Sequence, residues 1–138
     1  MDIEYKINKP ITSNQFIGLL ERSRLAERRP IHNLECMEGV VNNSNLVVSA
    51  WDADELIGIA RSVTDFHYAC YLSDLAVDQK QQGKGVGKKL LALTQEQLNE
   101  ECKLILVAAP NANSYYEHLG FENIPRCWTL DREKKIIC

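Results

Sequence analysis

The start of the chain predicts a strand followed by two helices. Apolar and polar residues alternate over residues 2–8, as they do in a half-buried strand. Thr12-x-x-Gln15 is a capping-box pattern, and the apolar residues that follow it recur at helical spacing. Pro30 ends this element, and we expect a shorter helix at about residues 33–41.

The middle of the chain changes to a β pattern. Residues 46–51 and 56–63 are apolar runs separated by the turn-like sequence Asp52-Ala53-Asp54-Glu55, which indicates a hairpin. Residues 68–77 form a third run, rich in aromatic and aliphatic side chains. Three such strands in succession predict an antiparallel meander.

A second helical pattern and a buried strand follow the meander. Apolar residues recur every three or four positions over about residues 85–101, which predicts a helix. Residues 103–109, which are all apolar after Lys103, suit a buried strand parallel to its predecessor. We expect a short helix at 111–119 and final strands from 121 through 130. The order β-α-α-β-β-β-α-β-α-β-β predicts an α/β (α+β) fold in a single domain over residues 1–138.

Composition fits an ordinary soluble domain: the 138 residues are 45% hydrophobic and 25% charged. The net charge of −3 argues against nucleic acid as a partner, and we interpret the arginine-rich residues 21–29 as a solvated helix face. No apolar run approaches the ~20 residues of a membrane helix, so we expect no membrane partner. The five cysteines contain no C-x-x-C pair, which favours a cytoplasmic protein without a metal site.

The most informative segment lies between the third meander strand and the next helix. Gln82-Gly83-Lys84-Gly85-Val86-Gly87 places three glycines where backbone N–H groups can turn toward a ligand. A helix N-terminus has unpaired N–H groups and a positive dipole end, which suit a pyrophosphate. The spelling fits neither G-x-x-x-x-G-K-[ST] nor G-x-G-x-x-G. The alternative interpretation is a tight helix entry with no ligand.

Two segments resemble motifs of the GNAT superfamily of N-acetyltransferases. Gln82-x-x-Gly85-x-Gly87 is similar to the superfamily's [QR]-x-x-G-x-[GA] acetyl-CoA motif, and residues 114–121 resemble its F-Y-x-x-x-G-F segment. The resemblance implies a mixed, mostly antiparallel sheet of six to seven strands with helices on both faces. It also implies a central parallel strand pair that splays apart, between residues 72–77 and 104–108.

The resemblance implies a site for acetyl-CoA along the splayed strand and the glycine loop, with no metal. The pantetheine arm would pair with the backbone of the strand, and backbone amides of the loop would hold the pyrophosphate. The implied cofactor-binding residues are Leu75, Ala76, Val77, Gln82, Gly83, Lys84, Gly85, Val86, Gly87, Lys88, Asn113 and Tyr116.

Two residues are candidates for acid–base chemistry. Tyr116 matches the tyrosine that protonates the leaving thiolate in many members of the superfamily, and its alternative role is a core aromatic. Asp74 matches an acidic position beside the cofactor slot and is a candidate general base, although a structural carboxylate is an equal alternative. Further base candidates are Asp65, Glu55 and His67.

The implied function is transfer of an acetyl group from acetyl-CoA to a primary amine of a small molecule or peptide, by direct attack in a ternary complex. The acceptor and the acyl length stay open, as does a homodimer. Two alternatives come from other classes: a non-catalytic acyl-CoA-binding sensor and a module that binds nucleotide phosphates.

Overall fold

A computed structural model describes residues 2–138, in which five strands and four α-helices are formed. The strands β1–β5 cover Ile3–Ile7, Leu46–Asp52, Glu55–Thr64, Ala69–Val77 and Lys103–Ile105. The helices α1–α4 cover Ser13–Ser23, Leu34–Asn42, Val86–Glu96 and Asn113–His118. The chain divides into a first unit that ends at Val107 and a second unit from Ala108 to Cys138.

The first unit contains a sheet whose strands lie in the order β1-β2-β3-β4-β5. All neighbours are antiparallel except β4 and β5, which are parallel. The meander predicted from the sequence is therefore confirmed as β2–β3–β4. Ser73 is an extra residue in β4, because Arg61 pairs with Asp74 while the next residue, Ser62, pairs with Leu72.

Apolar side chains cover the sheet on two faces. One cluster joins α1 and α2 to the strands, and its buried members are Phe16, Leu19, Leu20, Met37, Trp51, Leu56, Ile59 and Ala76. On the opposite face, a Cβ added at Gly58 would lie 3.1 Å from side-chain carbons of both Val86 and Leu90 in α3. Since side chains alternate along a strand, Gly58 and Ile59 face these two different layers.

The capping box predicted at the start of α1 is confirmed. The Gln15 backbone N–H donates to Thr12 Oγ1 at 3.1 Å, and the Thr12 N–H donates to Gln15 Oε1 at 3.0 Å. The predicted end of α3 at about residue 101 is wrong, because the helix ends at Glu96. There Asn99 turns away to donate its backbone N–H and its Nδ2 to the Phe66 carbonyl, both at 2.9 Å.

The predicted sheet of six to seven strands is also wrong, since residues 2–138 form a sheet of five. No strand forms within residues 121–130, and every residue from 122 to 138 is exposed, so this segment buries no face of a strand. Pro125 removes a ladder donor in its middle. β5 is shorter than predicted and ends at Ile105, where its pairing with β4 ends.

In the second unit, α4 is followed by a turn whose backbone conformation requires a glycine. Gly120 has φ of +95°, a left-handed conformation that lacks a steric cost only for glycine. The Phe121 N–H then donates to the Tyr116 carbonyl at 3.0 Å. Among residues 2–138, none of the helices combines the length and apolar character needed to cross a bilayer.

Candidate functional site

β4 carries an open edge in its second half. Its parallel pairing with β5 runs only from Ala69 to Tyr71, whereas its antiparallel pairing with β3 continues to Val77. Within the described chain, the side of β4 away from β3 therefore has no strand partner over Leu72–Val77. This is where the sequence predicts the splay. An open edge offers backbone groups to an extended ligand.

The glycine loop runs directly from the end of that edge into α3. Gly83 and Gly85 both have φ of +81°, and a Cβ built on either would contact nothing within 4 Å. Gly85 is the N-cap of α3, and no side chain of residues 2–138 caps this helix end. The first N–H groups of α3 are therefore free for an anion, which the positive end of the helix dipole favours.

Side chains within the loop fasten it to the strand before it. Gln82 Nε2 donates to the Val77 carbonyl at 3.1 Å, and Lys84 Nζ donates to Gln81 Oε1 at 3.3 Å. Gln81 lies in a short 3₁₀ turn, Gln79–Gln81, and is itself buried. The predicted residues Leu75–Val77 and Gln82–Lys88 thus belong to one continuous strand–loop–helix segment.

An ion pair from α1 holds the beginning of the loop. Arg22 Nε donates to Asp78 Oδ2 at 2.9 Å, and Arg22 Nη2 donates to the Leu56 carbonyl at 2.5 Å. The Asp78 side chain is only 4% exposed, and its other oxygen accepts from the Lys80 N–H at 2.9 Å. Gly18 leaves room for the guanidinium, because a Cβ there would lie 3.1 Å from Arg22 Nη1.

Asp74 lies fully buried between two arginines. Its Oδ1 accepts from Arg29 Nε at 2.6 Å, and its Oδ2 accepts from Arg61 Nε at 2.5 Å. Arg29 Nη2 also donates to the carbonyl of Ser73, the extra residue of β4, at 2.9 Å. With an arginine on each oxygen, this carboxylate has the environment of a structural group rather than of a general base.

Together the two ion pairs attach one segment of chain to both ends of the open half of β4. Arg22 contacts Asp78 just beyond the strand, and Arg29 contacts Asp74 beside the bulge. The interpretation of residues 21–29 as a solvated helix face is therefore wrong for these two arginines. Sequence reasoning missed Arg22, Arg29 and Asp78, and the only signal available was an aspartate placed directly after the third meander strand, four residues before Gln82.

Tyr116 and Asn113 lie in the second unit, on α4. Asn113 is the first residue of that helix. The Tyr116 ring makes edge-on contacts with the rings of Tyr115 and Phe121, at centroid distances of 5.2 and 5.5 Å. Burial raises the pKa of Tyr116, and the neighbouring Tyr115 raises it further, so the hydroxyl is protonated at neutral pH.

The remaining base candidates lie in a turn or at the start of a strand. Asp65 Oδ1 accepts from the backbone N–H groups of Tyr68, Ala69 and His67 at 2.8, 3.1 and 3.0 Å, and these bonds hold the pKa of Asp65 below its ordinary value. Glu55 is the exposed first residue of β3. In the described residues, no group of three or more His, Cys, Asp or Glu side chains comes together as a metal site would require.

The family assignment follows from a match that covers most of the chain. Residues 15–129 match the acetyltransferase (GNAT) domain. This chain belongs to the GNAT acetyltransferase family. The matched range contains the glycine loop, the open edge of β4 and α4, and it confirms the N-acetyltransferase class expected from the two sequence motifs.

Relatives and solved structures agree with the GNAT assignment. The uncharacterised N-acetyltransferase ycf52 of Gracilaria tenuistipitata is 28% identical over 130 residues, covering 86% of this chain and 70% of the relative. A GNAT family acetyltransferase of Streptococcus pneumoniae has the same fold, with a TM-score of 0.74 at 19% identity and coverage of 95% and 99%. The aminoglycoside N-acetyltransferase AAC(6')-Iy in complex with CoA gives a TM-score of 0.72 at 19% identity, with 96% of each chain covered.

Proposed function

We propose that this GNAT chain transfers an acetyl group from acetyl-CoA to a primary amine of a small molecule or peptide, in a ternary complex. The observation that carries the proposal is the uncapped N-terminus of α3, reached through Gly83 and Gly85 directly from the open edge of β4. The helix start and the open strand edge are neighbours in the chain, just as the pyrophosphate and the pantetheine arm are neighbours in CoA.

The glycine loop is suited to the pyrophosphate. Backbone N–H groups from Gln82 to Lys88 would donate to its oxygens, and the open space at Gly83 and Gly85 would allow close approach. Lys84 and Lys88 add positive charge on either side of the helix start. Asp78 is neutralised by Arg22, so its carboxylate does not oppose the anion.

The open edge of β4 is suited to the pantetheine arm. The amides of the arm would pair with the backbone of Leu75 and Val77 as an added strand does, because their backbone groups point away from β3 while those of Ala76 point toward it. The Val77 carbonyl already accepts from Gln82 Nε2 at 3.1 Å, so an amide of the arm would share that oxygen or displace the glutamine. A carbonyl oxygen has two lone pairs, which permits sharing.

The reaction needs one proton delivered and one removed. As the amine nitrogen forms its bond to the acetyl carbon, the carbon–sulfur bond breaks and the CoA thiolate leaves. We assign Tyr116 to protonate that thiolate, since its raised pKa keeps the hydroxyl protonated. Asp74, which the sequence proposes as the base, is better placed to fix β4, because each of its oxygens is engaged by an arginine. The proton that the amine loses therefore passes to water, from which Tyr116 recovers its own proton.

Solved relatives of the fold support a small-molecule amine as the acceptor. AAC(6')-Iy has been solved with a bisubstrate analogue that joins CoA to an acetylneamine, and this chain matches that structure with a TM-score of 0.71. An aminoglycoside acetyltransferase from a soil metagenome was solved with sisomicin. Both acceptors carry several amines, so polyamines and amino sugars head the acceptor panel, with peptide N-termini after them.

The test combines a binding titration with a turnover assay. Acetyl-CoA should bind with saturation in calorimetry, and thiol release should rise when an accepted amine is added. Binding without thiol release across the panel would favour the acyl-CoA sensor. A folded protein that does not bind acetyl-CoA would exclude both proposals.

A further inference from the structure

A cavity lies in the first unit, and no residue of the glycine loop lines it. It has a volume of about 400 Å³ and opens between the end of β1, the end of α2 and the face of β2 and β3 that packs against α1 and α2. None of the residues proposed to bind acetyl-CoA lines it. Its walls combine apolar side chains, neutral polar side chains and two cations, and they include Ile11, Val41, Val47, Ile59, Lys9 and Arg61.

The charges around this cavity are not balanced. Its lining includes two cationic side chains but no carboxylate. Arg61 is buried, with an exposed fraction of only 7%. It shares its counter-ion with Arg29, because the Asp74 carboxylate accepts hydrogen bonds from both arginines. Two guanidinium groups facing one carboxylate leave an excess positive charge, and buried charges in proteins are normally paired.

The hydrogen bonds of Arg61 show which of its nitrogens is left for a ligand. Its Nε donates to Asp74, its Nη1 donates to Ser44 Oγ at 2.8 Å, and its guanidinium lies 5.8 Å from the Phe16 ring centre. Within residues 2–138, no acceptor is bonded to Nη2. The second cation of the cavity, Lys9, holds its ammonium 4.0 Å above the Trp51 ring and is otherwise unpaired in the described chain.

We propose that this cavity binds a small molecule that carries one carboxylate and an apolar group. The carboxylate would accept from Arg61 and Lys9, and the apolar group would lie against the valine and isoleucine side chains. A free ammonium on the ligand would find no carboxylate in the lining. An N-acylated amino acid therefore fits, whereas the corresponding free amino acid does not.

Three matched probes test this chemistry: N-acetyl-L-leucine, L-leucine and N-acetyl-L-leucinamide. In ¹H–¹⁵N spectra, N-acetyl-L-leucine should give saturating shifts at the lining residues that carry an amide proton at this end of the cavity, which are Asn8, Lys9, Ile11, Ser44, Asn45 and Val47. L-leucine adds an ammonium and the leucinamide lacks the carboxylate, so each should bind at least about tenfold more weakly, the loss of one charge-assisted contact.

Two substitutions at exposed positions of the lining locate the site. Lys9→Gln should weaken N-acetyl-L-leucine binding roughly two- to fivefold, as expected for a partly exposed charge pair. Asn42→Asp introduces a carboxylate of the same shape and should weaken binding as well. Lys6→Gln makes the same charge change as Lys9→Gln on β1 outside the cavity, and should leave binding unchanged.

The proposal is independent of acetyl transfer, since no acetyl-CoA residue takes part. It is overturned if N-acetyl-L-leucine gives no saturating shifts at tens of millimolar, if the leucinamide binds equally well, or if the shifts map to residues 82–88. The proposal is also overturned if Lys6→Gln weakens N-acetyl-L-leucine binding as much as Lys9→Gln does, because the interaction would then be a general charge effect.

Discussion

At the scale of single residues, Tyr116 separates an acid–base role from a packing role. Phenylalanine keeps the ring contacts with Tyr115 and Phe121 but removes the proton. Tyr116→Phe should lower kcat by roughly 10²–10⁴-fold while leaving acetyl-CoA affinity nearly unchanged. Thiol release and a binding titration on the same preparation measure both quantities.

The pH dependence provides a second readout of Tyr116. Burial and the neighbouring Tyr115 raise the pKa of Tyr116 above its ordinary value of 10. The Tyr116 hydroxyl therefore stays protonated at neutral pH and loses its proton only in alkaline solution. The alkaline fall in kcat should lie above pH 10 and disappear in Tyr116→Phe. Wild-type turnover in the mutant would show that water or another group protonates the thiolate.

Gly85 tests the close approach of the pyrophosphate. A valine side chain there would occupy space that is open in this structure, and it would also strain a left-handed backbone. Gly85→Val should abolish acetyl-CoA binding in a chain that still folds. Gly39→Val in α2, where the added Cβ also meets nothing within 4 Å, should bind normally. Normal binding by Gly85→Val would place the phosphates elsewhere.

The conformation or environment of a single residue could be predicted from the sequence only where that residue belongs to a short motif. Gly83 and Gly85 belong to a glycine pattern that spans six positions, so their left-handed turns follow from the local sequence. Asp74 has no such pattern, because its partners are 45 and 13 residues away in the chain. Its environment therefore depends on tertiary contacts that no local window contains.

At the scale of elements, Asp74 connects β4 to β3 and to the turn that follows α1. Asp74→Asn would leave two arginines without their carboxylate, and breaking a buried ion pair on one side costs about 3 kcal/mol or more. We expect a large drop in melting temperature. Asp54→Asn, in the exposed β2–β3 turn, is the matched control and should melt as the wild type does. A mutant that melts normally but loses turnover would restore Asp74 as the general base.

The Arg22–Asp78 pair should hold the glycine loop in its binding conformation. Without it the loop would have to be ordered by the ligand, at the expense of affinity. Arg22→Gln should weaken acetyl-CoA binding roughly 5- to 30-fold, one or two kcal/mol, with a smaller effect on kcat. Arg24→Gln, which removes an exposed pair with Glu27, should change neither quantity. Equal affinities in the two variants would show that the loop needs no support from α1.

Helices and strands that depend on a local apolar pattern were predicted correctly. The length of a strand that depends on pairing with a neighbouring strand was not. The three meander strands and α1 each follow from side-chain periodicity, and the structure has all of them. The length of β5 depends instead on how far β4 accompanies it, which ends at Tyr71. The apolar residues from Leu106 to Ala109 look like a strand but have no ladder partner in the described chain.

At the scale of the whole molecule, the ligand should contribute measurably to stability. Acetyl-CoA at 100 times its dissociation constant should raise the free energy of unfolding by about 2.7 kcal/mol, because it binds the folded chain only. Thermal melts with acetyl-CoA and with free acetate at the same concentration measure this effect. No shift with acetyl-CoA would contradict the cofactor assignment, and an equal shift with acetate would show a nonspecific salt effect.

The extra residue in β4 limits the changes in length that this chain can tolerate. Before Ser73, the β4 residue on the α1 face of the sheet is the odd-numbered Tyr71, opposite Val63; after it, even-numbered Asp74 and Ala76 take that face. Deleting one residue here would turn half of the strand over, placing a charge where an apolar side chain belongs. Among descendants of this sequence, insertions and deletions around position 73 should therefore be eliminated, whereas Ser73 itself, whose backbone carbonyl alone is bonded to Arg29, should tolerate substitution.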